Sequence, residues 1–148
     1  VSGSRKVVAI EVHDPMMVGE VGFDGRIMEY FVNYNVSYIM KSTDANSITM
    51  VVWDNEKSRE LVKALKGAFY QVRAVPVAIV CAMGSNIAIP GFLHKAAKAL
   101  YERGINIESF AQSLRQVNMQ FIIARDKYEE AVIALNEELC KKTNHTMG

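Results

Sequence analysis

VAIEVHDPMMVGEVGF (Val8–Phe23) and VAIVCAMGSNIAIPGF (Val77–Phe92) lie 69 residues apart, and both open on Val-Ala-Ile and close on Gly-Phe with no gap between these anchors. The elements outward from these stretches repeat as well. Lys6–His13 (KVVAIEVH) and Val77–Met83 read as strands, being runs of β-branched and aliphatic residues. The loops 14–22 and 84–91 follow. Past the Gly-Phe pair, Phe23, Ile27, Phe31 and Tyr34 fall at helical spacing, as do Ala96, Ala99 and Leu100 within 92–103. Asn35 and Gly104 suit the left-handed conformation that stops a helix. Val36–Ser42 and Ser47–Trp53 predict two strands around the turn cluster Asp44-Ala45-Asn46; Ile105–Phe110 and Val117–Ala124 are their counterparts. Leu61, Ala64, Leu65 and Ala68 predict a second helix in the first copy, and Ala131, Val132, Leu135 and Leu139 its equivalent in the second. Gln71–Val75 predicts a fourth strand for the first copy, ended by Pro76. After Leu139 the chain reads CKKTNHTMG, which predicts a tail (140–148) that is irregular or completes a sheet.

Each copy thus reads β-α-β-β-α, with a fourth strand in at least one, the element order of a ferredoxin-like βαββαβ module. The expected fold class is α+β, with two such modules packed together: 1–76 and 77–148. Such packing hides sheet edges and apolar faces.

Composition narrows the function. The 148 residues are 50% hydrophobic and 22% charged, with a formal net charge of +1. A near-neutral chain lacks the basic excess of a nucleic-acid binder, so no nucleic-acid partner is expected. No apolar run reaches the roughly 20 residues of a membrane span, so no membrane partner is expected either. Cys81 and Cys140 belong to no CxxC pair, which fits a reducing, cytoplasmic setting. The absence of a start methionine reads as an excised piece.

Catalytic patterns are missing. There is no GxxxxGK[ST], GxGxxG, GxSxG or HExxH. His13, His94 and His145 fall at unrelated points of the two-copy plan, so no metal site is expected. Acylphosphatase-like enzymes share the plan, but they need an Arg-bearing phosphate cradle where this chain has DPMMVGEVG. The two strand–helix loops are the informative places: MVGEVGF (Met17–Phe23) and NIAIPGF (Asn86–Phe92). A glycine before a helix lets the backbone take positive φ or approach a ligand, and the free N–H groups of the helix start attract a carboxylate. With the neighbouring strand's backbone groups, such a place suits an amino acid. The methionines Met16, Met17, Met28, Met40 and Met50 read as core filler.

These features resemble a known family. Tandem ferredoxin-like modules with a Gly-ended loop resemble ACT domains. Val12–Ile48 resembles the first ACT module of monofunctional aspartate kinases. Val77–Ser113, with its PGxxxxxxxAL…GINI pattern, resembles the second, and Val117–Leu139 the closing segment. The resemblance implies an allosteric regulatory region without catalytic residues of its own, following an upstream kinase domain. That domain would use ATP and Mg to phosphorylate the aspartate β-carboxyl group, toward lysine, threonine and methionine. No cofactor is implied for this chain itself. The implied partners are an end-product amino acid (lysine or threonine) and a second copy, in a homodimer formed through the ACT modules. In that likeness the effector-site positions are Met17, Glu20, Gly22, Phe23, Asp24, Ser37, Tyr38, Ile39, Thr43 and Asp44. Those of the second-module loop are Ser85, Asn86, Pro90, Gly91, Asn106 and Ile107. Two positions depart from lysine-sensitive members: Ile39 stands for an acidic residue and Ala45 for a glutamate. A lysine ammonium would then need Glu20, Asp24 or Asp44, since burial without a carboxylate is costly. Aspartate kinase ACT modules are interleaved, so a missing strand is expected from outside a module's own stretch. The alternatives are a ligand-free assembly module of the same enzyme and a stand-alone ACT amino-acid sensor.

Overall fold

The computed structural model describes residues 1–17, 21–83, 91–112 and 118–147, the last eight of these by backbone alone. The chain forms two compact units, Lys6–Pro76 and Val1–Arg5 with Val77–Gly148. The first five residues therefore group with the second repeat, not with the first as the boundary 1–76 has it.

In the Lys6–Pro76 unit, β1 (Ser2–His13) leads to α1 (Phe23–Asn33), β2 (Met40–Thr43), β3 (Ser47–Trp53), α2 (Glu56–Ala68) and the start of β4 (Gln71–Met83). Strand order is β2-β3-β1-β4. β3 lies antiparallel to both neighbours, with Met50 opposite Ile10 on one side and Lys41 on the other. Side chains alternate across a strand, so Ile10, Val12, Ile48, Met50 and Val52 share the face that packs against Phe23, Ile27 and Phe31 of α1 and Leu61 and Leu65 of α2. α2 begins on a reciprocal cap: Asn55 Oδ1 accepts from Ser58 N–H at 3.0 Å, while the Ser58 hydroxyl oxygen accepts from Asn55 N–H at 3.0 Å. This satisfies donors that a helix start leaves open.

The other unit is built alike. The remainder of β4 is followed by α3 (Phe92–Glu102), β5 (Ser109–Gln112), β6 (Asn118–Ala124) and α4 (Tyr128–Met147), with strand order β1-β4-β6-β5. Its core gathers Ala78, Val80 and Ala82, then Met119, Phe121 and Ile123, against Ala96, Leu100, Ala131 and Leu135. The start of β1 is its fourth strand. Arg5 holds this strand to α4, reaching Glu129 at 2.6 Å and lying over the Tyr128 ring at 5.5 Å.

Both units are ferredoxin-like βαββαβ modules; the first is one continuous stretch, and the second takes one strand from outside its own repeat. The second module's outside strand comes from the N-terminal residues and not from the tail, which is helical to Met147. Four other boundaries differ from the sequence reading. β1 starts at Ser2 rather than Lys6. Pro76 does not end β4: it lacks an N–H to donate, yet the strand runs on through it to Met83. Val36–Ile39 precedes β2 as irregular chain, held by Ile39 N–H donating to the Val51 carbonyl at 2.7 Å. Likewise Ile105–Glu108 precedes β5, with Glu108 N–H on the Ile122 carbonyl at 2.7 Å. Among the described residues no helix is long and apolar enough to cross a membrane.

Candidate functional site: the first strand–helix loop

The loop after β1 leaves as a short 3-10 turn, Pro15–Met17. Asp14 organises it: its Oδ1 accepts from Met16 N–H at 2.9 Å and its carbonyl from Met17 N–H at 3.1 Å. Asp14 N–H donates to the Asn46 carbonyl at 3.1 Å. That bond ties the loop to the β2–β3 turn, which carries Thr43, Asp44 and Ala45. The turn is closed by Asp44 N–H on the Ser47 carbonyl at 2.8 Å and by Ala45 N–H on Asp44 Oδ1 at 2.7 Å.

At its far end the loop enters α1 through Gly22, at φ 85°. This left-handed conformation strains any residue with a Cβ, although a Cβ built there would meet nothing within 4 Å. Gly22 has no side chain to cap α1, so the early N–H groups of the helix keep their capacity for an acceptor. Gly91 repeats this at φ 88° before α3.

The predicted site residues separate into three sets. Met17, Gly22, Phe23, Asp24, Thr43 and Asp44 belong to the loop, the first turn of α1 and the turn tied to the loop. Of these, Met17 and Phe23 are core residues, 8% and 3% exposed; they shape the loop from beneath. Thr43 and Asp44 are exposed. Ser37, Tyr38 and Ile39 instead follow the last turn of α1. Ser37 and Tyr38 line an open groove of about 700 Å³ with Met28, Phe31, Val32, Asn35 and Val36, and the Tyr38 ring meets Phe31 edge-on at 6.5 Å. Within one chain the structure does not gather these three with the loop residues. In the second module Gly91 starts α3, Asn106 is exposed and Ile107 packs on the core. Glu20, Ser85, Asn86 and Pro90 lie outside the described residues.

One participant escaped the sequence reading. Lys41 sits on the helix-facing side of β2, in register with buried Met50, and its Nζ forms an ion pair with Asp24 Oδ2. The signal was present: a lysine in phase with core positions once β2 is paired with β3. Asp24 Oδ1 is buried and has no hydrogen-bond partner among the described residues. No group of three or more His, Cys, Asp or Glu among those residues is arranged to hold a metal. Cys81 is half-buried on β4, and burial pushes its thiol up, outweighing the opposing field of the N-terminal ammonium.

An ACT domain model matches residues 80–139. The aspartate kinase Ask_Ect of Stutzerimonas stutzeri is 35% identical over 148 residues, covering 98% of this chain and 31% of that protein. The regulatory subunit of aspartate kinase from Thermus thermophilus, solved ligand-free, superposes with a TM-score of 0.81 at 19% identity, covering 93% of this chain and 94% of that one. The chain belongs with the ACT regulatory regions of aspartate kinases. Aspartokinase III of E. coli, solved with lysine and aspartate in its T-state, superposes with a TM-score of 0.71 at 18% identity, over 91% of this chain and 31% of that one. The ACT chain spans between a quarter and a third of the length of the curated relatives it matches.

Proposed function

We propose that this ACT region senses an end-product amino acid of the aspartate family, lysine or threonine, and passes its binding to a kinase domain that phosphorylates aspartate. The ligand's carboxylate would meet the open N–H groups at the start of α1, and its ammonium the oxygens of the Met17 loop and the Asp44 turn. The observation that carries this reading is the tie between loop and turn through Asp14 and Asn46, beside a helix start presented by a left-handed glycine. It matches the chemistry of a zwitterion, with donors and acceptors at one end of one sheet. Ser37, Tyr38 and Ile39 stand apart from that cluster, and a second copy set against α1 would supply them, so the site is read as completed in a homodimer. An effector shifts activity only through unequal affinity for the active and inactive states.

Calorimetry of the chain with lysine, threonine and methionine tests this. Saturable heat with at least one, lost on Gly22→Val in a protein that keeps its circular dichroism, is the expected result. No heat with any of the three refutes it.

The groove on α1 favours a second reading, assembly without a ligand, because Val32 beside it is 77% exposed. Sedimentation with and without amino acids separates the two: an effector-binding dimer responds to the ligand, while a pure assembly module is indifferent to it.

A further inference from the structure

We infer that the Asp24–Lys41 ion pair sets the specificity of the first-module site, turning it toward an amino acid with an uncharged side chain and away from a cationic one. The inference rests on the effector site proposed above.

Four acids near the loop are candidates to receive a ligand's side-chain ammonium. Asp14 holds the loop's own 3-10 turn, its Oδ1 accepting from Met16 N–H at 2.9 Å. Glu20 lies outside the described residues. Asp44 is engaged by its own turn, its Oδ1 accepting from Ala45 N–H at 2.7 Å. Asp24, in the first turn of α1, is neutralised by Lys41. The Lys41 side chain is only 21% exposed and rises from a position in register with fully buried Met50 and, beyond it, Ile10. Its ammonium is held close against the helix start, and a second ammonium brought to Asp24 would meet it as a like charge. Screening by solvent is weaker at a partly buried pair than at an exposed one.

The repeat shows that the fold does not require this pair. At the 69-residue offset Asp24 corresponds to Leu93 and Lys41 to Phe110. Phe110 stands opposite Phe121 on β6, as Lys41 stands opposite Met50 on β3, and its ring lies 5.3 Å from that of Phe121. The same two places are thus apolar in one module and an ion pair in the other. The pair also leaves an acceptor open: Asp24 Oδ1 is buried without a partner among the described residues. A buried oxygen of this kind gains from a neutral donor such as a hydroxyl, which a small hydroxy amino acid carries.

Calorimetry with threonine, lysine and norleucine tests the inference, norleucine being the lysine skeleton without its ammonium. In the unaltered chain lysine is expected to bind at least tenfold more weakly than norleucine, and threonine to bind. In Lys41→Met, which keeps the apolar stem and frees Asp24, the order of lysine and norleucine reverses. Tighter binding of lysine than norleucine by the unaltered chain overturns the inference, and that comparison needs no variant to fold. A folded Lys41→Met with no gain for lysine overturns it as well. Silence with all three ligands, in the unaltered chain and the variant, removes the effector reading itself and this inference with it; binding in the wrong order removes this inference alone.

Discussion

Gly3 is the sharpest place to test how the second module is completed. A Cβ built there overlaps the Ile79 carbonyl oxygen and comes within 3.1 Å of the Tyr128 ring. The obstruction is a strand backbone, which cannot swing aside as a side-chain tip can. Overpacking of this kind costs about 1–3 kcal/mol, and Gly3→Ala belongs at the top of that range because the start of β1 must draw back from β4. The side-chain ties of the same segment are weaker. The Arg5–Glu129 pair is more than half exposed on both sides and contributes roughly 0–1 kcal/mol, and Arg5 over Tyr128 adds a similar amount. Gly3→Ala should therefore destabilise more than Arg5→Ala. About 3 kcal/mol lowers the melting temperature of a chain this size by roughly 6–12 °C. Thermal unfolding followed by circular dichroism reads the shift, and hydrogen exchange locates it: protection should fall in Val77–Met83 and persist in Ser47–Trp53. A Gly3→Ala protein within about 0.5 kcal/mol of the parent, with unchanged exchange in β4, would refute the assignment of β1's first residues as the second module's fourth strand.

Three further outcomes are expected. Gly22→Ala has room for its methyl but not the φ, so it should cost about 1–2 kcal/mol from backbone strain alone, measured by urea unfolding. Leu61→Ala, at a fully buried site of the first module's core, should cost about 2–5 kcal/mol, with loss of protection centred on α2. Cys81 has a raised pKa in the folded chain through burial, so its contribution is whole below the unfolded value of about 8.5 and is lost as pH climbs through the folded value. The urea midpoint of the parent should accordingly fall more steeply between neutral and alkaline pH than that of Cys81→Ala, and parallel curves would count against this.

The repeat carried most of the fold into view because ferredoxin-like modules depend on local patterns: alternating apolar strands, helices with one apolar stripe, and left-handed stops at Asn35 and Gly104. Features set by long-range pairing were harder to read. VSGSR is polar and falls before the strand read at Lys6–His13, yet Ser2–Arg5 become strand because β4 offers an edge and α4 a carboxylate for Arg5. VSYI looks like strand, yet α1's end and a single bond from Ile39 to Val51 hold it outside the ladder. Pro76 reads as a stop, but β4 runs through it from Gln71 to Met83. At the site, Gly22 and Asp24 could be named from the sequence, whereas Lys41 gained meaning only once β2 was aligned with β3.

Comparing the two modules separates what the architecture requires from what the ligand requires. Gly22 and Gly91 take nearly the same φ, 85° and 88°, and both introduce a helix. A backbone device present in both copies is part of the module and does not by itself identify a binding site. The weight that the Gly-Phe loop carries in the sequence therefore moves to the side chains around it, where the copies diverge. Asp24 and Lys41 against Leu93 and Phe110 is such a divergence. Replacing a partly buried ion pair by well-packed apolar residues is often neutral or stabilising, so stability gives no reason to prefer this pair over the apolar residues that the other module uses. Its effect falls instead on the charge that an incoming ligand encounters, and affinity for lysine against norleucine is the quantity in which that effect is read.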